Sequence, residues 1–261
     1  MKKTLPLYIS PCPNDTFITY AMNTGILSMP CEFDVHFADV EELNQSLVKR
    51  PPCVSKISVA ALAYCKEEYT ILETGAAMGL GCGPLVVAKE KIENISCASI
   101  ATPGIYTTAH ALLSLYGEFQ GRRIPMLFSD IPNALQEGSV DMGVLIHETR
   151  FEYERYGLHL ITDLGIFWEE TYAMPLPLGI FVIHNSLLEY KETVEEVMRA
   201  SIEYAYKQYD NALTYCANYA QELDTHTLES HIAMFVNSYT LDMGEQGRCA
   251  IKMLIDALQC E

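Results

Sequence analysis

Apolar residues in this chain recur in two rhythms that alternate along its length. Short apolar runs bounded by turn residues fall at Leu5–Ile9, Phe33–Phe37, Val54–Val59, Ile71–Glu73, Leu85–Ala88, Ala98–Ala101, Ile124–Phe128, Met142–Ile146, Leu158–Asp163 and Ile180–Ile183, and they read as strands. Helix-like stretches lie between them, at Phe17–Asn23, from Val40 to about Lys49, and at Thr107–Leu115. Asp39 stands where a helix cap belongs, with Glu42 three residues further on. From about Glu189 the strands cease. Three helical stretches follow, Val194–Tyr209 with its continuation, Leu228–Val236 and Gly244–Leu258. Strand alternating with helix, closed by a helical tail, predicts an α/β fold.

Two places interrupt the alternation with glycine and proline: Gly75 to Pro84, and Met174 to Gly179. Read as crossings between lobes, they divide the chain into a larger α/β lobe, residues 1–88 with 178–261, and a smaller one, residues 89–177. The ligand cleft is expected between them. In α/β lobes ligands sit at the carboxyl ends of strands, so chemistry is sought in the loops that follow strands.

Composition narrows the partners. The net charge of −17, from 34 acidic and 17 basic residues, opposes binding to nucleic acid or to an anionic membrane surface. An anionic ligand would have to be held by local donors, against the field of the whole chain. Nine cysteines are scattered without a C-x-x-C pair or zinc-ligand spacing, which reads as reduced thiols in a cytoplasmic protein. The apolar run after Lys2–Lys3 is broken by Pro6 and ends at Ser10, so it reads as a first strand and not an export signal. No segment has the length of a membrane span.

Four loops could carry chemistry, besides a strand with an unusual polar content. Ser10-Pro11-Cys12-Pro13-Asn14-Asp15-Thr16 follows the first strand and opens a helix; its prolines fix φ and its short oxygens suit a cap or a ligand equally. In Ser55-Lys56-Ile57-Ser58 the spacing by itself reads as solvent-facing positions of a half-buried strand. Thr107 and Thr108 follow Pro103-Gly104 at a helix start, where free N–H groups favour an anion. His147 directly follows Met142–Ile146, which makes it the best-placed general base among seven histidines. Phe151 stands where a second histidine would complete H-E-x-x-H, so zinc hydrolysis is disfavoured. His226 and His231 read as surface residues of the tail. Trp168-Glu169-Glu170 leads into the second crossing and reads as a hinge with an aromatic anchor. No G-x-G-x-x-G, Walker A or G-x-S-x-G lies in the context its fold would need.

Taken in order, Ser10–Phe17, Gly83–Ala88, Thr107-Thr108-Ala109, Ile146-His147-Glu148, Trp168-Glu169-Glu170 and Leu176–Gly179 resemble the 1,4-dihydroxy-6-naphthoate synthase family of the futalosine route to menaquinone. The resemblance spans nearly the whole chain. It implies a fold like the type II periplasmic binding proteins, two α/β lobes with two crossings. It also implies conversion of cyclic dehypoxanthinyl futalosine into 1,4-dihydroxy-6-naphthoate, with loss of a three-carbon fragment and no metal or redox cofactor. Position by position it implies His147 as proton acceptor, Lys56, Ile57 and Ser58 as one substrate-binding segment, and Thr108 and Ala109 as another. Asn14, Thr16 and Thr107 are expected beside the ligand, with the ring carboxylate against the Thr107–Ala109 helix start. The partner is then a small anionic aromatic substrate, and the sequence is compatible with a homo-oligomer. The alternatives are a non-catalytic binding protein of this fold and the sister chorismate dehydratase.

Overall fold

A computed structural model describes residues 2–49, 51–220 and 224–259. Eleven strands run through these residues: β1 Thr4–Ile9, β2 Glu32–Phe37, β3 Val54–Ser58, β4 Tyr69–Ile71, β5 Ala77–Gly79, β6 Leu85–Ala88, β7 Ile100–Thr102, β8 Arg123–Pro125, β9 Met142–Leu145, β10 His159–Asp163 and β11 Leu176–His184. Helices α1 Pro13–Asn23, α2 Val40–Val48, α3 Thr108–Tyr116, α4 Ile131–Glu137, α5 Thr149–Glu152 and α6 Leu164–Tyr172 alternate with them. The tail comprises α7 Lys191–Lys207, α8 Tyr209–Ala217, α9 Thr225–Phe235, α10 Ser238–Leu241 and α11 Gly244–Gln259.

The strands form two sheets. One has the order β2-β1-β3-β11-β4, with β5 also paired to β11; the other has the order β10-β6-β9-β7-β8. In the first, β1 runs parallel to β2 and β3, and the long β11 returns antiparallel beside β3, β4 and β5. In the second, β7 is parallel to β8 and β9, while β6 lies antiparallel between β9 and β10. The α/β class and the helical tail thus stand as read from the chain. One boundary moves: Leu85–Ala88, expected at the end of the larger lobe, is β6 of the second sheet. Leu176 and Pro177, expected in the smaller lobe, already belong to β11 of the first.

Burial follows from this layering. One apolar cluster packs Leu5, Leu7 and Ile9 of β1 against α1, α7, α8 and α9. Helix α1 is covered by three helices, and Pro13 through Met22 are all buried. A second cluster joins the other face of the first sheet to β6 and β9 of the second, through α3, α6 and α11. Helix α11 presents Gly247, Ala250, Ile251, Leu254 and Ile255 inward, an i, i+3/i+4 stripe, and packs on the 3-10 helix Val59–Tyr64, on β11 and on α3. The tail therefore packs on the first sheet and on α3, the helix that follows β7 of the second.

The crossings are close-packed. Gly83 and Gly165 approach so nearly that a Cβ on either would overlap the backbone of the other. Backbone cannot swing aside as a flexible side chain can, so Gly83→Ala is expected to cost at least the ~1–3 kcal/mol of ordinary overpacking, read as a lowered urea midpoint at unchanged slope.

Candidate active site

The carboxyl ends of β1, β3 and β9 and the start of α3 converge on one cavity enclosing ≈ 670 Å³, the open solvent at its mouth included. Its wall holds Asn14, Lys56, Ile57, Ser58, Thr107, Thr108, Ala109 and His147. These eight come from four sequence segments that only the fold brings together. Thr16 does not reach the cavity: it is fully buried, and its Oγ1 donates to the carbonyls of Cys12 and Pro13 inside the first turn of α1. Ser10 and Asp15 of the same candidate loop also line the cavity, as do Cys82, Arg150 and Phe235, which the sequence reading passed over.

Lys56 corrects the spacing argument. All five residues of β3 are buried, because β3 lies between β1 and β11 with packing on both faces, so polar alternation does not mark a wet side. The Lys56 ammonium lies 2.8 Å from Asp15 Oδ1, donates to the Gly75 carbonyl at 3.0 Å, and sits 4.8 Å from the Phe181 ring centre. Gly179 leaves it room, since a Cβ there would lie 3.1 Å from Lys56 Cε. Asp15 in turn accepts from Ser10 Oγ at 2.7 Å and from Asn14 Nδ2 at 2.8 Å. The loop whose oxygens could have been mere caps is therefore the counter-ion cradle of a buried lysine.

Across the cavity, Asn44 of α2 holds Ser58 at two points: its Nδ2 donates to Ser58 Oγ, and its Oδ1 accepts from the Ser58 N–H. Thr107 caps α3 by accepting from His110 N–H, which leaves the first two helical N–H groups, those of Thr108 and Ala109, as the orphan donors every helix start carries. Thr108 Oγ1 is committed elsewhere, donating to Leu178 C=O of β11 and accepting from Ala60 N–H. A further tie joins the sheets' surroundings: the Glu41 carboxylate of α2 accepts from the N–H groups of Ile105 and Tyr106, each at 3.1 Å. Gly104 (φ +132°) has no Cβ where one would overlap that carboxylate.

His147 stands just past β9 with φ +52°, a left-handed conformation that histidine adopts more readily than branched residues, and one that recurs at functional sites. Its Nδ1 lies 3.5 Å from Cys12 Sγ and its ring packs edge-on to Phe128, while Nε2 is buried and has no hydrogen-bond partner among the described residues. Burial pulls the imidazole down to about 4, with Lys56 adding to the shift and Asp15 opposing it. Burial also pushes the Cys12 thiol well up, reinforced by Glu148 and Asp15, so Cys12 faces His147 as a thiol. His231 corrects a second expectation. It is not on the surface but fully buried, stacked at 6.2 Å on His147, because Thr227, Leu228, His231, Ile232 and Phe235 form the inward stripe of α9. His226 is exposed. Among the described residues no cluster of three or more His, Cys, Asp or Glu has the arrangement to hold a metal, and no helix is long and apolar enough to cross a membrane.

Two α/β sheets joined by two crossings, with a ligand-sized cavity between them, define the periplasmic-binding-protein class of fold. The same fold is seen in the periplasmic aliphatic sulphonate binding protein of Escherichia coli, with a TM-score of 0.68 at 10% identity over 99% of this chain and 87% of that one. Over residues 5–259 the sequence matches the menaquinone biosynthesis family, and the chain belongs to that family. It is 39% identical to the 1,4-dihydroxy-6-naphthoate synthase of Thermus thermophilus over 254 residues, 97% of this chain and 93% of that protein. A crystal structure of an Archaeoglobus fulgidus protein, 36% identical, superposes with a TM-score of 0.93 over 98% of this chain and 97% of that one.

Proposed function

We propose that this protein is a lyase that converts cyclic dehypoxanthinyl futalosine into 1,4-dihydroxy-6-naphthoate, with His147 as the proton acceptor. Family membership and the full-length similarity to naphthoate synthases support the reaction. The observation that carries the role of His147 is its unpartnered, buried Nε2 on the cavity wall. With Nδ1–H turned to the Cys12 sulfur, Nε2 holds the free lone pair. It takes a proton from the sugar-derived part of the substrate, the carbon–carbon bond breaks, and formation of the second aromatic ring drives release of the three-carbon fragment. The Thr108 and Ala109 N–H groups suit an oxygen that gains negative charge as this happens, and Ser58, held by Asn44, offers a further donor. Lys56 has one ammonium donor left after Asp15 and Gly75 are served.

The two sheets with their helices act as lobes that close over the substrate, keeping water from a reactive intermediate. The Glu41 tie to Ile105 and Tyr106 is the clasp of that closed state. Gly104→Ala forces the carboxylate aside and strains a φ of +132°, so it is expected to raise KM several-fold while leaving kcat within about twofold, in steady-state assays. The free thiols of the described cysteines accord with a cytoplasmic enzyme, and assembly into a homo-oligomer is compatible with the fold.

The test is a mass-spectrometric assay of the purified protein with cyclic dehypoxanthinyl futalosine, beside its His147→Ala variant. Naphthoate from the wild type alone supports both reaction and base. Thermal stabilisation by the substrate without product points instead to a binding protein, and no response calls for the same assay with chorismate.

A further inference from the structure

Two cations line the cavity among the described residues, and their surroundings differ. Lys56 is neutralised by Asp15 at 2.8 Å. Arg150, on α5 just after His147, has no such match. Its nearest carboxylate oxygen, Asp163 Oδ2, is 3.8 Å away, too far for a hydrogen bond, and Asp163 Oδ1 is already occupied in capping α6 through the N–H groups of Gly165 and Ile166. The Arg150 side chain is only 9% exposed, yet Nε is buried without a partner among the described residues and Nη1 faces the thioether sulfur of Met234, a weak acceptor. The guanidinium stacks at 5.5 Å on Phe151. A buried guanidinium left with this few acceptors is costly unless something else supplies them.

We infer that Arg150 is the docking group for the aromatic carboxylate of the ligand, the anion replacing the acceptors the protein withholds. The assignment rests on the naphthoate reading above and deepens it by naming the charged residue that recognises the acid. A planar guanidinium takes a carboxylate through two parallel N–H···O bonds, and the negative field of the whole chain makes such a local cation necessary. This moves the carboxylate from the α3 start, where the sequence placed it, and leaves the Thr108 and Ala109 N–H groups for an oxygen of the reacting ring. It also sets the aromatic end of the ligand beside the loop that carries His147.

The test uses 2-naphthoate and 2-naphthamide, which share shape and differ in charge, titrated calorimetrically into wild type, Arg150→Gln, Arg150→Lys and Asp163→Asn. The wild type is expected to prefer the acid at least about tenfold, the worth of one charge-assisted pair. Arg150→Gln should erase that preference with naphthamide binding unchanged, and Arg150→Lys should keep part of it. Asp163→Asn, which retains an oxygen to cap α6 and removes the competing charge, should tighten naphthoate alone, and it remains informative if Arg150→Gln fails to fold. Equal preference for the acid in wild type and Arg150→Gln, an equal loss of both probes, or a wild type that binds neither would overturn the assignment. A wild type that prefers the acid yet forms no naphthoate from cyclic dehypoxanthinyl futalosine leaves Arg150 as the anion site and refutes the reaction.

Discussion

Replacing His147 by alanine is expected to lower turnover of cyclic dehypoxanthinyl futalosine by about 10²- to 10⁴-fold, the usual contribution of a positioned general base, while substrate affinity changes little. The variant gives up the Nδ1 contact with Cys12 and ring packing on Phe128 and His231, while Nε2 has no partner among the described residues to lose, so a circular-dichroism check of folding accompanies the assay. Loss of ligand binding with intact folding would remove the base assignment. The pH profile adds a sharper check. In the ligand-free protein burial holds His147 near 4, so it is neutral and ready to accept a proton throughout the physiological range. The acid limb of kcat/KM, which reports the free enzyme, should therefore fall near pH 4 and not near the ordinary imidazole value of 6.5. An anionic substrate enclosed in the same cavity favours the imidazolium and raises the proton affinity of the ring. The acid limb of kcat, which reports the complex, should accordingly lie at higher pH than that of kcat/KM. In His147→Ala both limbs should vanish from whatever residual rate remains. Coincident limbs in the wild type would mean that the bound anion does not reach the field of His147.

Much of this site was legible because its loops follow strands, and strands announce themselves by short apolar runs. The Ser10–Thr16 loop and His147 were found in that way. What escaped did so for identifiable reasons. Lys56 looked wet because alternation implies a solvent face only for a strand covered on one side, and β3 is covered on both. Strand β5 lies inside Gly75–Pro84, where glycine reads as turn; its order comes from pairing with β11, which arrives from about a hundred residues away. His231 was judged by its distance from His226, whereas the stripe that buries it runs through Leu228, Ile232 and Phe235. Arg150 follows Glu148 and Thr149, a sequence indistinguishable from an exposed helix start, and only the packing of Met234 and Phe151 around it shows that it is enclosed. Asp15 was visible as a cap candidate, but its charge partner lies 41 residues further along the chain on another strand. Pairings of this kind are properties of the tertiary fold, and no local window contains them.

The Asp15–Lys56 pair carries the largest expected effect on stability. Both side chains are almost fully buried, 3% and 5% exposed, so Asp15→Ala leaves an ammonium deep in the protein with only the Gly75 carbonyl and the face of Phe181 for company. Breaking a buried pair from one side costs about 3–5 kcal/mol, roughly a fifth or more of the stability of an ordinary domain, and should appear as a large drop in urea midpoint at pH 7. Most of that cost is the stranded charge and not the lost attraction. Removing both charges, as Asp15→Leu with Lys56→Met, should thus restore much of the stability, since apolar residues of similar volume often replace a buried pair at no net cost. Turnover should not return with it. The double variant keeps the volume of the cavity floor but deletes the donor that Lys56 offers the substrate and the two charges that act on His147 in opposite directions. Stability and activity recovering together would show that the pair is only scaffolding. Stability recovering while activity stays lost separates what the pair does for the fold from what it does for the site, and assigns the retention of two charges in so costly a place to the chemistry.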